Sequence, residues 1–228
     1  MGRDERKSGG SLRLFLAIYP PAPVVESLLG SMRKLRDLPP YREVRSDQIH
    51  LTLHFMGQVH PRKMDQVIET VDRAKKGIYQ FDLKLMRMVG YPRLNRAADS
   101  TQDSASLSSR RHHDRRRNAS APRLIAAETD RPDYLVELRN RLVRRLAREV
   151  RENPNDRYVP HVTLCRFRPF RAAEYSFGEV DWAVCGASLA DSDDLTFTVK
   201  RFSLMKSTLS PREVVHEEVA TWPLSPCK

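Results

Sequence analysis

Two short strings in this sequence pair an imidazole with a hydroxyl: His50-Leu51-Thr52-Leu53 and His161-Val162-Thr163-Leu164. Side chains alternate faces along a β-strand, so the His and Thr of each string project together and the apolar residues project the other way. Each string therefore reads as a half-buried strand with an imidazole and a hydroxyl on its open face. Histidine titrates near neutrality, so two imidazoles around one cleft provide a base and an acid at the same pH. Two hydroxyls beside them provide donors for developing negative charge. This set suits acid–base chemistry on a phosphate ester and requires no metal. With seven histidines and nine threonines in the chain, His-x-Thr should occur only about 0.3 times by chance, so two copies in like surroundings point to one shared site.

The elements that must position these strings are read from hydrophobic spacing. Residues 12–19 are apolar and β-prone, and stop at Pro20-Pro21. Residues 22–37 carry Val24, Val25, Leu28, Leu29, Met32 and Leu35 at helical spacing. Residues 42–59 are extended around the first string, and 61–76 return to helical spacing through Met64, Val67, Ile68 and Val71. Phe81, Leu83 and Leu85 alternate in a strand over 81–89. A strand is expected at 122–127. Leu135, Leu138, Leu142 and Leu146 make one apolar stripe on a helix over 133–152, with arginines filling much of the rest. Strands are expected at 158–167, 195–205 and 213–222. The two strings lie about half the chain apart in a shared rhythm of a helix, then a His-x-Thr strand, then more sheet. That rhythm suggests two similar lobes related by a pseudo-twofold axis.

Between the halves, residues 95–121 hold six Arg, three Asp and many Ser, with Leu107 the one large apolar side chain. Such a segment buries too little surface to offset its ordering entropy, and is expected to be a disordered surface insertion. His112-His113 and the arginines within it read as a solvated linker. The tail over 1–10 is polar and is also expected to be disordered. The domain reading is one bilobal unit over 11–224, interrupted by 95–121.

The formal net charge is +11, and most of it lies outside these two segments. A basic body suits an anionic partner such as nucleic acid. Cys165, Cys185 and Cys227 are odd in number and widely spaced, with neither a zinc nor a disulfide framework, which fits a reducing cytoplasm. No apolar run approaches the length of a membrane span, and nothing demands more than a monomer.

Several runs resemble one known family. Arg13 to Ile18 is similar to its opening strand. Asp47 to Gly57 is similar to its first motif, with the trailing Phe55 and Gly57. Pro160-His161-Val162-Thr163-Leu164-Cys165-Arg166 is similar to its second, with a trailing arginine, and Phe202 to Leu209 is similar to its last-but-one strand. The family is the two-histidine (2H) phosphoesterase superfamily, and within it the RNA 2′,3′-cyclic phosphodiesterases once described as 2′–5′ RNA ligases. The resemblance spans about residues 11–94 and 122–224. It implies an α+β, bilobal, LigT-like fold: two antiparallel sheets flanked by helices, with pseudo-twofold symmetry around a central cleft.

The resemblance also implies metal-independent hydrolysis of RNA 2′,3′-cyclic phosphate ends, or of cyclic nucleotides, to 2′-phosphomonoesters without a cofactor. His161 would be the base and His50 the acid, with Thr52, Thr163 and Arg166 holding the phosphate. Strict alternation puts Arg166 on the face opposite His161, so a bulge or the strand end must re-aim it. Phe55 stands after His50 as Arg166 stands after His161, and is a candidate to line a nucleobase region. His54 shares a face with His50 by alternation and is a candidate to border the cleft. His60 reads as a loop residue without a role. His216 stands near a position where the family commonly has tyrosine, and Lys206 where it has arginine. Two other readings share the cleft: a non-catalytic module that binds RNA ends, and ATP-independent, reversible 2′–5′ RNA ligation. ATP-dependent joining would require a Lys-x-Asp-Gly motif, which the chain lacks, and a metal-dependent hydrolase would require a ligand cluster that is not visible.

Overall fold

The computed structural model describes residues 10–35, 38–91, 122–146, 158–169, 195–210 and 214–226. The expected insertion at 95–121 and all of the expected tail except Gly10 lie outside the described residues. Nine strands are present among the described residues: β1 (Leu12–Ile18), β2 (Tyr41–Glu43), β3 (Leu51–Val59), β4 (Phe81–Tyr91), β5 (Leu124–Thr129), β6 (His161–Phe167), β7 (Thr196–Val199), β8 (Arg201–Leu209) and β9 (Val214–Pro223). The helices are α1 (Ala22–Arg33), α2 (Met64–Lys75) and α3 (Asp133–Leu146). Each periodic segment of the sequence has its element, with residues 147–152 of the helix expected over 133–152 outside the described residues. The segment 195–205 divides into β7 and β8, and α1 ends earlier than its apolar spacing suggests.

The sheet runs β7-β4-β5-β6-β3-β1-β8-β9, with β2 pairing on β6. Its halves, β3-β1-β8-β9 and β6-β5-β4-β7, are antiparallel throughout and meet at a single pair, Leu51 with Val162. The two expected sheets are thus joined into one curled antiparallel sheet at the strands that carry the two strings.

The halves repeat strand, helix and His-x-Thr strand: β1-α1-β3 and β5-α3-β6. They also exchange parts. After β3 and α2 the chain enters β4, which pairs in the other half with β5, and after β6 it reaches β8, which pairs with β1. The helices cross over as well, α1 packing against β6 and α3 against β3. Each half therefore braces the other's His-x-Thr strand.

Leu14, Leu16, Leu51, Leu53, Val162 and Leu164 point toward the helices and are buried with Leu28 of α1 and Leu135, Leu138 and Leu142 of α3. Burying such side chains stabilises the fold by about 1.5–3 kcal/mol each. The α3 leucine stripe is core, and its arginines lie elsewhere on the helix. On the opposite face of β1, Phe15 and Ala17 pack with Met205 and Tyr19 in a small second cluster. The run Leu14–Ile18 is buried on both faces, so it reads as continuously apolar rather than alternating. Trp222 anchors β9, an edge strand, by donating its indole N–H to Asp72 of α2 at 2.9 Å.

Candidate active site

His50 immediately precedes β3, and His161 opens β6. From the Leu51–Val162 pair, the antiparallel register extended by one residue sets His50 across from Thr163, and Thr52 across from His161. Each imidazole therefore faces the hydroxyl of the other string. Neither threonine hydroxyl has a hydrogen-bond partner among the described residues, so both are available to a ligand.

Both rings are tied in the same way. Nδ1 of His50 lies 2.7 Å from the carbonyl oxygen of Gln48, and Nδ1 of His161 lies 2.9 Å from that of Val159. A carbonyl can only accept, so each Nδ1–H donates to the backbone two residues earlier. Nε2 of each ring is left to take or give a proton.

Strand pairing re-aims the residues after each string. Ala17 pairs with Thr52 and Leu16 with His54, so Leu53 is an extra residue in β3. Ala126 pairs with Thr163 and Ile125 with Cys165, so Leu164 is an extra residue in β6. These bulges occupy equivalent places and reverse the alternation beyond them. Arg166 consequently joins His161 and Thr163 on the open face, where it lines a cavity with Thr163 and His50. The bulge required of Arg166 by the sequence is present.

The same reversal corrects the expectation for His54. It pairs with Leu16, whose side chain is in the helix-side core, and it lies near Arg139 of α3. His54 therefore sits on the face away from the cleft, and burial, aided by Arg139, lowers its pKa. Phe55 moves to the open face instead. It pairs with Phe15, is 51% exposed, and carries the Arg13 guanidinium 4.9 Å over its ring. A third irregularity occurs at Met56, where Gly57 adopts φ 68°, a conformation that glycine tolerates best.

The surroundings of the two imidazoles differ. His50 is packed by Phe15 at 4.9 Å, Tyr19 at 5.4 Å and His216 at 5.2 Å between ring centroids. Burial, with smaller lowering contributions from His216, Arg166 and His161, pushes its pKa down to about 4 against the bond to Gln48. The hydroxyl of Tyr19 is buried with no partner among the described residues, and burial, with Glu218 and Asp47, raises its pKa to about 12.

His161 instead stacks on Tyr91 at 5.2 Å and 29°. Across β5 it pairs with Glu128, whose buried carboxylate accepts from the Tyr91 hydroxyl and, at 3.0 Å, from Arg87 Nε. Tyr158, under the guanidinium of Arg139 at 4.5 Å, donates to the backbone carbonyl of Thr52 at 3.1 Å and so binds the approach to β6 onto β3.

The cavity holds about 190 Å³. His50, Thr163, Arg166, Arg42, Gln48 and His216 are among the residues that line it, and His161 and Thr52 are not. Lys206 pairs with Glu217 at 2.9 Å. His60 accepts at Nδ1 from Arg62 N–H at 3.2 Å and caps the short turn before α2. Among the described residues, no group of three or more His, Cys, Asp or Glu is arranged to hold a metal, and no helix is long and apolar enough to cross a membrane. Sequence reasoning missed Tyr19, Tyr91 and Glu128. An acid within the apolar run of β5 is the one signal for Glu128.

The family model described as "LigT like Phosphoesterase" matches residues 18–97, which include the first string. No curated protein matches the sequence. Among solved structures, the TT0787 protein of Thermus thermophilus is similar at 21% identity and TM-score 0.63, over 94% of this chain and 99% of that one. E. coli LigT complexed with 3′-AMP is similar at 22% identity and TM-score 0.60, over 94% and 99%. E. coli LigT has also been solved with phosphate, at 21% identity, TM-score 0.60 and 95% and 99% coverage. The chain thus has the LigT-like fold, and its residues 18–97 match the LigT-like phosphoesterases of the two-histidine superfamily that its motifs resemble.

Proposed function

We propose that the cleft hydrolyses the 2′,3′-cyclic phosphate of RNA ends or cyclic nucleotides to a 2′-phosphomonoester. The observation that carries this reading is the pair of identically tied imidazoles, each with no Nε2 partner among the described residues, on two strands that pair at Leu51 and Val162. The LigT-like family match supports phosphoester chemistry in general. The solved complexes of E. coli LigT with 3′-AMP and phosphate support a nucleotide phosphate as the ligand class.

In this mechanism His161 Nε2 takes a proton from water as its oxygen bonds to phosphorus. The bond from phosphorus to O3′ breaks, and His50 Nε2–H delivers a proton to the departing O3′. Thr52, Thr163 and Arg166 donate to the phosphoryl oxygens, on which negative charge grows. His50 is neutral in the free protein because burial and neighbouring positive charges resist its protonation. A phosphate anion beside it favours the charged form and raises its pKa, which brings His50 toward the acid role on binding substrate. The basic cleft acts on RNA ends as a monomer in the cytoplasm.

The test is an oligoribonucleotide ending in a 2′,3′-cyclic phosphate, incubated with excess EDTA. Conversion to a 2′-phosphate by the wild type, and none by His161→Ala, is the expected result. Binding without conversion by the wild type would refute hydrolysis and favour an RNA-end-binding module.

A further inference from the structure

His216 is a third imidazole in the cavity, and the proposed reaction leaves it without a task. Its position is fixed from two sides. Gln48 accepts the Nδ1–H of His50 at its carbonyl, and donates through its side-chain amide to the carbonyl of Val214. One residue thus binds both His50 and the strand that carries His216. Phe15 fills the space beneath, 4.9 Å from both rings. The two imidazoles meet edge to face at 75°.

The two rings present opposite faces of hydrogen bonding. Nδ1 of His216 is buried and has no partner among the described residues. A proton there would be a buried donor with nothing to accept it, so the proton belongs on Nε2. Burial also lowers the pKa of His216, with Asp47 opposing, which keeps the ring neutral. His216 therefore offers an N–H donor in the same cavity in which His50 Nε2 takes and gives its proton.

We propose that His216 is a substrate-contacting residue that donates from Nε2 to a non-bridging oxygen of the phosphoryl group engaged by His50. This inference deepens the reading of the cleft as a cyclic phosphodiesterase and rests on it. It adds a neutral donor beside the hydroxyls and Arg166, placed on the first half of the site alone.

The test compares His216→Phe, which keeps the ring and removes the donor, with His216→Gln, whose amide N–H reaches nearly as far as Nε2–H. Each is assayed on the cyclic-phosphate oligonucleotide and on the two diastereomers of its cyclic phosphorothioate, in which sulfur replaces one non-bridging oxygen. We expect His216→Phe to lose about 10–100-fold in kcat/KM, His216→Gln to recover most of it, and the penalty for one diastereomer to shrink only in the Phe variant. A Phe variant within about threefold of wild type overturns the proposal. So does a loss that His216→Gln does not recover, or one that leaves both sulfur penalties unchanged, because ring packing alone would then explain the residue. A wild type without turnover would instead overturn the reading of the cleft, and this inference with it.

Discussion

Around His50 the neighbours are Phe15, Tyr19 and His216; around His161 they are Tyr91 and, across β5, the buried carboxylate of Glu128. The backbone treats the two rings alike. Each has the same Nδ1 tie, the same opposing threonine and the same bulge at the residue after its own string's threonine. The side chains around them do not match. One imidazole sits among rings and positive charge, and the other beside an acid held by Tyr91 and Arg87. A duplicated frame therefore supplies the geometry of a symmetric pair, while its unlike linings can assign unlike proton duties. An acid and a base at one pH require such a difference.

Removing either imidazole should produce the largest effect. His50→Ala and His161→Ala are each expected to lower kcat by about 10²–10⁴-fold with the circular dichroism spectrum unchanged. A variant that keeps near-normal kcat would show that only one half of the site works. Arg166→Ala should come next, at about 10²-fold in kcat/KM, because it removes a charged donor that the bulge at Leu164 directs into the cavity. Its counterpart by register, Phe55, carries no charge, so Phe55→Ala should raise KM more than it lowers kcat; equal losses from the two variants would erase this distinction between the halves.

Protonation sharpens the comparison further. Burial holds the free His50 near pKa 4, so it is neutral at pH 7. Bound phosphate favours the charged form and must raise that pKa, and binding then takes up a proton between the two values. Over that window, affinity for the anion falls as pH rises. Ring signals of His50 followed by NMR should titrate near pH 4 alone and at a clearly higher pH with a saturating 2′-phosphonucleotide. An unmoved midpoint would remove His50 from the acid role. The smallest effect is expected of His54→Ala, within about threefold of wild-type kcat/KM, because its side chain is on the helix face.

His54 also marks where the sequence stops being readable. The two His-x-Thr strings, the strand of Leu12–Ile18 and the leucine stripe of α3 are local patterns, and periodicity alone locates them. The parity of His54, Phe55 and Arg166 depends on bulges created by pairing with β1 and β5, far away in the chain. The need for a bulge is visible at Arg166 because the resemblance gives that residue a task, whereas nothing in the spacing of His54 signals one. His216 and Glu128 reach the imidazoles only through the pairings of β8 with β9 and of β5 with β6. The rhythm of two halves is legible as a repeat. The exchange of β4 and β8 between them is not, because it is a choice of strand partner that no local pattern encodes.

The central claim is that the two unlike half-sites act together on one phosphorus. The most direct measurement is kcat for His50→Ala, His161→Ala and the double variant on the cyclic-phosphate oligonucleotide with EDTA present. Groups that serve a single transition state are strongly non-additive. The double variant should therefore be about as slow as the slower single variant. Losses that multiply, or a single variant that retains activity, would contradict a joint acid–base pair.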